Sequence, residues 1–227
     1  MEHFSEILIP SNSPLPGAGA IYCHRVFSQD RSDSTGSEAC LLSRLEELRE
    51  ELTPSTMSVN MTATRRFFND NEEGRDGWVG HAIVDALNRR HPELGITRVL
   101  PDMRFIEYPV GLGAGIAPHI DGIMYDEPTG RESTTSFLLY LTTVEEGGTT
   151  TFLAGGKWGD KRNTSCSGSR DGERGSEGGS GSGLSPVEVI AEVAPVRGSI
   201  LVFPHLQPHE GTAVYDKVKW LLRGDCY

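Results

Sequence analysis

The chain has 227 residues, 37% of them hydrophobic, which suffices for one sizeable core and gives no sign of a second catalytic domain. A formal net charge of −11 opposes the counterion-release attraction on which nucleic-acid binding relies, so DNA and RNA are disfavoured as partners. Residues 1–10 lack the basic start and long apolar core of a secretory leader, and no later run approaches membrane-spanning length, so the expectation is a soluble protein of the cytoplasm or nucleus.

Residues 1–34 are rich in Ser, Pro and Gly and are expected to be mostly flexible, with one apolar patch at 21–27 able to form an outer strand. The folded domain is expected to occupy 35–227. Thr35-Gly36-Ser37-Glu38 fits a capping box, and Leu41, Leu42, Leu45, Leu48 and Leu52 then fall at helical spacing. A second amphipathic helix is predicted through Trp78, Val79, Ala82, Ile83, Ala86 and Leu87, closing on Arg89, Arg90 and His91 before Pro92, where basic residues suit a helix C-terminus. From Thr97 onward, short strand-like runs separated by Gly and Pro turns predict a mainly β fold with flanking helices and a double-sheet jelly-roll core. Residues 160–185 interrupt it with seven Gly, seven Ser and no aromatic residue. Such a segment cannot bury enough surface to order itself and reads as a flexible insertion, either a tolerated surface loop or a lid over a site. Cys23, Cys40, Cys166 and Cys226 show no CxxC or zinc-finger spacing, which predicts free thiols rather than a disulfide framework.

The chemistry concentrates in Ala117-Pro118-His119-Ile120-Asp121-Gly122 and, far downstream, His209-Glu210-Gly211. Side chains alternate along a strand, so His119 and Asp121 point the same way. A nitrogen from His209 would complete the two-histidine, one-carboxylate set that holds non-haem Fe(II) and leaves coordination positions open. His205 is the rival for that third position, while His81 and His91 read as structural or exposed.

These residues sit among further blocks: Arg104-Phe105-Ile106-Glu107-Tyr108-Pro109-Val110-Gly111, Phe137-Leu138-Leu139-Tyr140-Leu141, Gly147-Gly148-Thr149-Thr150-Thr151-Phe152-Leu153, Gly198-Ser199-Ile200-Leu201-Val202-Phe203, and the closing Lys219-Trp220-Leu221-Leu222-Arg223-Gly224-Asp225-Cys226-Tyr227. In this order, from Arg104 to the C-terminus with one long interruption, they resemble the 2-oxoglutarate/Fe(II)-dependent dioxygenases of the prolyl 4-hydroxylase-like group. The resemblance implies a double-stranded β-helix that binds Fe(II) through His119, Asp121 and His209, takes 2-oxoglutarate and O2 as co-substrates, and is assisted by ascorbate. It implies hydroxylation of a C–H bond coupled to decarboxylation of 2-oxoglutarate to succinate, with a prolyl residue in a protein as the leading substrate. A small-molecule substrate stays open, as does oxidative demethylation.

Lys219 stands where this group places the lysine that grips the distal carboxylate of 2-oxoglutarate. Lys219, Leu221 and Arg223 share one face of their strand, so Arg223 is a second cation for that role, or else a partner of Asp225. Tyr108 matches a tyrosine that donates its hydroxyl to the carboxylate, and Thr151 is a lesser candidate for the same wall. The chain departs from the group's pattern at Thr149, where a glutamate is usual, and at Lys217, where a glycine is common, so Lys217 is a competing cation. Residues 126–132 either sit at the pocket mouth or simply turn the chain. The competing reading is a cupin-like metal- or ligand-binding jelly roll without 2-oxoglutarate turnover, since fold alone does not choose. Oligomeric state is not legible.

Overall fold

A computed structural model describes residues 5–15, 17–27, 37–55, 63–72, 74–111, 115–155 and 187–227, with backbone only for 37–40. The insertion at 160–185 and Thr35 and Gly36 of the capping box lie outside the described residues. In chain order the elements are β1 (Ser5–Ile7), β2 (Ile21–Cys23), α1 (Ser37–Glu51), β3 (Thr64–Asn69), α2 (Trp78–Arg90), β4 (Asp102–Tyr108), β5 (Ile116–His119), β6 (Tyr125–Asp126), β7 (Arg131–Glu132), β8 (Thr135–Tyr140), β9 (Thr150–Ala154), β10 (Glu188–Val193), β11 (Ile200–Pro204), β12 (His209–Gly211) and β13 (Lys219–Cys226).

The strands form a seven-stranded sheet ordered β1-β2-β11-β8-β13-β4-β3 and a four-stranded sheet ordered β10-β9-β12-β5. Pairing within both is antiparallel, as a jelly roll requires. The predicted fold class is therefore the one observed.

Period-two alternation divides the large sheet into two faces. Phe105, Phe137, Leu139, Ile200, Val202 and Leu222 pack outward against Leu41, Leu42 and Leu45 of α1 and Val79, Ile83 and Leu87 of α2. Ile106, Tyr108, Leu138, Tyr140, Leu201 and Leu221 point inward, where they meet Phe152 of the small sheet and Phe203 from the rim of β11. The apolar periodicity of both helices thus buries one side of the large sheet and leaves the other for the site. Asp70 holds the start of α2: its carboxylate accepts from the Gly80 amide at 2.8 Å, supplying the cap that Gly77 cannot.

The N-terminal region departs from expectation. β2 is not an outer strand; it lies between β11 and β1, with Ile21↔Val202 and Ile21↔Ile7 in register. Ile9, Ala20, Val26 and Phe27 are buried, and β1 and β2 are strands of the large sheet. The apolar side chains outweigh the Ser/Pro/Gly background because each fills space against β11 or α1. Cys23 and Cys226 are buried free thiols. Among the described residues no helix is long and apolar enough to cross a membrane.

The small sheet closes over the large one through the pairing of β12 with β5, which sets His209 directly opposite His119. Gly115 permits this approach, since a Cβ there would collide with the carbonyl oxygen of Gly211. Gly115→Ala is expected to lower the unfolding free energy in urea by about 1–3 kcal/mol. Gly122→Ala, whose Cβ would meet nothing within 4 Å, should stay within about 0.5 kcal/mol of the parent.

Candidate metal centre

His119 ends β5, Asp121 follows just beyond it, and His209 opens β12. One ligand atom from each lies within 4.8 Å of the others, the one such cluster among the described residues. The imidazole centroids are 4.3 Å apart, and each Nε2 is 3.9 Å from an Asp121 carboxylate oxygen. Both rings are turned the same way. His119 Nδ1 lies 2.9 Å from the Ala117 carbonyl and His209 Nδ1 lies 2.9 Å from the Gln207 carbonyl, each two residues back along the chain. A carbonyl only accepts, so each Nδ1 carries the proton and each Nε2 keeps its lone pair. Burial, partly opposed by Asp121, takes His209 down to about 4, so at neutral pH it is an uncharged ligand. Two imidazoles presenting Nε2 and one carboxylate facing a common point fit a divalent cation with open coordination positions.

Asp121 is buried, which alone would raise its pKa, but Arg223, His209 and Ser136 together hold it well below the usual carboxylate range. Arg223 Nη2 sits 3.0 Å from Asp121 Oδ1 and its Nη1 2.9 Å from Asp225 Oδ2. Ser136 donates to Asp121 Oδ2 at 2.6 Å. Having spent its only proton there, Ser136 must accept from His205 Nδ1 at 2.9 Å, and His205 Nε2 then accepts from Ser133 at 2.7 Å. Ser133 in turn accepts from the Met124 amide at 2.9 Å. A single ordered relay therefore connects the loop after the His-x-Asp motif to the Asp121 carboxylate. His205, the rival ligand, is spent inside this relay.

Several sequence candidates find their places here. Lys219 is only 1% exposed, and its Nζ donates to the Gly148 carbonyl at 2.6 Å and stands 5.0 Å from the Tyr108 ring centroid. Among the described residues no carboxylate pairs with it, and burial brings its pKa down to about 7. Tyr108 lies opposite Lys219 in register, and burial pushes its phenol up, so it stays a donor. Lys219, Tyr108, His119, Asp121, His209 and Arg223 line one cavity. Arg223 also takes the alternative weighed for it, a pair with Asp225, and its guanidinium is divided between Asp225 and Asp121. Thr150, not Thr151, faces this cavity: Thr150 shares its face with the core residue Phe152, while Thr151 lies 3.2 Å from the Thr149 hydroxyl on the other side. Lys217 is half exposed near Glu145 and Asp216, away from the cavity. Residues 126–132 form the β6–β7 turn, which is tied to the chain end where the Tyr227 hydroxyl donates to the Asp126 carboxylate at 2.8 Å.

Ser133 and Ser136 are among the members of this site that sequence reasoning missed, as are Thr150, Arg65 and Arg104 of the cavity wall. The available signal was Ser136, a polar residue on the inward face of an otherwise apolar strand.

A family model described as the 2OG-Fe(II) oxygenase superfamily matches residues 103–224. No curated protein matches the chain significantly. Among solved structures it is similar to the viral collagen prolyl hydroxylase of Paramecium Bursaria Chlorella virus-1 (13% identity over 94% of this chain and 98% of that one, TM-score 0.51). It is also similar to a prolyl hydroxylase of Trichoplax adhaerens in complex with a hypoxia inducible factor peptide fragment (16%, 89% and 87%, TM-score 0.50). A third is the non-heme alpha ketoglutarate dependent epimerase SnoN from nogalamycin biosynthesis (14%, 92% and 78%, TM-score 0.58). At these identities the likeness is one of fold.

Arg223 bridges two buried carboxylates. Arg223→Met should cost about 3–5 kcal/mol in urea unfolding at pH 7 by leaving Asp121 and Asp225 uncompensated. Because the Asp121 pKa is depressed in the folded state, its contribution is present above the unfolded value of about 3.9 and is lost as pH falls below it toward the folded value. The parent's stability should therefore decline more steeply below about pH 4 than that of Asp121→Asn.

Proposed function

The chain belongs to the 2OG-Fe(II) oxygenase superfamily, and from that membership we propose that His119, Asp121 and His209 hold the iron, that Lys219 and Tyr108 hold the distal carboxylate of 2-oxoglutarate, and that a prolyl residue of a peptide is the group hydroxylated. As a member, the protein is a dioxygenase that uses Fe(II), 2-oxoglutarate and O2. The observation that carries the residue assignment is the convergence of the three ligand atoms within 4.8 Å on a cavity whose far end holds a buried lysine.

Bound at the triad, Fe(II) with its co-substrates supplies the oxidising power that turns C–H into C–OH as 2-oxoglutarate becomes succinate and carbon dioxide. The chain's own residues fix where this happens. The carbonyls of Ala117 and Gln207 keep both Nε2 atoms presented, and Arg223 with Ser136 keeps Asp121 ionised and oriented. Lys219 has lost its hydration without gaining an anion, so a carboxylate arriving beside it restores its charge and finds a donor already in place. Ile106, Leu138 and Leu221 line the cavity between these poles and keep bulk water from the reacting carbon. The prolyl reading is supported by the shared fold with two prolyl hydroxylases, and the retained carboxylate ligand Asp121 favours hydroxylation or oxidative demethylation over halogenation. We assign ascorbate the role of restoring oxidised iron, and the cytoplasm or nucleus as the site of action. The cupin-like alternative without 2-oxoglutarate turnover has no comparable support.

The test is succinate release from purified protein given Fe(II), O2 and 2-oxoglutarate. Release should occur with the parent and vanish in His209→Ala; release that persists in His209→Ala would reject the triad. Lys219→Ala should weaken 2-oxoglutarate binding to the Mn(II)-loaded protein by roughly two to four orders of magnitude, and near-normal affinity would reject that anchor. Lys219, near 7 when free, is charged below that pH and neutral above it, and carboxylate binding favours the charged form. The parent's 2-oxoglutarate affinity should therefore fall as pH rises from about 7 to about 9, with proton uptake on binding in calorimetry, and Lys219→Ala should lose that dependence.

A further inference from the structure

The two ends of the cavity are both cationic, and 2-oxoglutarate takes up only one of them. Along the β4–β13 ladder Lys219 stands opposite Tyr108, and Arg223 stands opposite Arg104. Four residues separate the two pairs, or about 13 Å of strand. Asp121 is tied to the Arg223 end at 3.0 Å, the end that Arg104 shares. Arg223 is neutralised by Asp121 and Asp225. Arg104 is not: among the described residues its side chain forms no ion pair and no hydrogen bond, and its buried Nε has no partner. Both Arg104 and Arg65, which lies opposite Ile106 on the adjoining strand, line the cavity. Burial and the neighbouring Arg223 and Arg65, partly offset by Asp225 and Asp121, lower the Arg104 pKa only to about 10, which leaves it charged at neutral pH. An acidic protein thus holds a planar cation with no directly paired carboxylate among the described residues at the Arg223 end of the cavity, away from Lys219.

We propose that Arg104, with Arg65 beside it, binds an oxyanion, a carboxylate or a phosphate, carried by the prime substrate. The proposal rests on the reading of Lys219 as the 2-oxoglutarate anchor and adds a substrate class to it: the molecule oxidised is anionic, and its charged group docks at Arg104 while the carbon to be oxidised faces the triad. A guanidinium offers two parallel N–H donors to such a group, which an ammonium does not.

The experiment uses the full chain loaded with Zn(II) as a redox-inert stand-in and saturated with 2-oxoglutarate. It is titrated calorimetrically with N-acetylglycine and, separately, with inorganic phosphate, for the parent, Arg104→Gln and Arg104→Lys. The expected result is that one of the two anions binds the loaded parent, about 10-fold or more weakly in Arg104→Gln, with partial recovery in Arg104→Lys and 2-oxoglutarate affinity unchanged throughout. Which anion binds distinguishes carboxylate from phosphate. Binding of neither, equal binding to Arg104→Gln, or displacement of the probe by excess 2-oxoglutarate would overturn the proposal. Loss of 2-oxoglutarate itself from Arg104→Gln would also overturn it, by assigning the arginine to the co-substrate. Should Arg104→Gln fail to fold, Arg104→Lys decides: a loss of about 3-fold or more supports the guanidinium fork, and parental affinity contradicts it. A parent that binds no 2-oxoglutarate defeats the Lys219 reading instead, so the two failures are distinguishable.

Discussion

The antiparallel register that sets His209 opposite His119 is the constraint from which the rest of the site follows. Side chains alternate with a period of two, so a slip of one residue between β12 and β5 would send one imidazole to the opposite face of the small sheet and dissolve the cluster. The register is guarded from several directions. His209 also pairs with Phe152 on β9, Phe152 is anchored in the core between the sheets, and the absence of a side chain at Gly115 lets the two strands meet.

Around that register the protein arranges charge by burial. Asp121 would be costly as an isolated carboxylate in this interior. Arg223 and Ser136 hold it ionised, and Asp225 balances the arginine in turn. The opposite end is built the other way, with a lysine stripped of water and left without an anion among the described residues. At one end the Asp121 carboxylate is therefore compensated before any ligand arrives and suited to bind a metal. The other is incomplete and suited to select a co-substrate by charge.

Much of this was legible in the sequence, for reasons particular to the residues. His119 and Asp121 are two positions apart, so simple alternation placed them together, and Leu41 through Leu48 advertised a helix by spacing alone. The inward sharing of Lys219, Leu221 and Arg223 followed from the same period. What stayed hidden depends on distance in the chain. Asp121, Ser136, His205, Arg223 and Asp225 form one hydrogen-bonded and ionic network, yet no local pattern links them. Thr151 was only a lesser candidate for the wall, and Thr150, which does line the cavity, went unnamed because the run of three threonines hides which face Phe152 buries. β1 escaped notice because Ser5–Ile7 is an exposed edge strand without alternation, specified by its pairing to β2 and not by its own composition.

Crystals grown without oxygen in the presence of Fe(II) and 2-oxoglutarate, measured at the iron absorption edge, test most directly whether His119, Asp121 and His209 share one ferrous ion. The expected result is a single strong anomalous peak in contact with both Nε2 atoms and the Asp121 carboxylate, with the keto acid extending from it toward Lys219. An iron peak lacking any one of these three contacts, or iron bound elsewhere while the triad stays vacant, would contradict it.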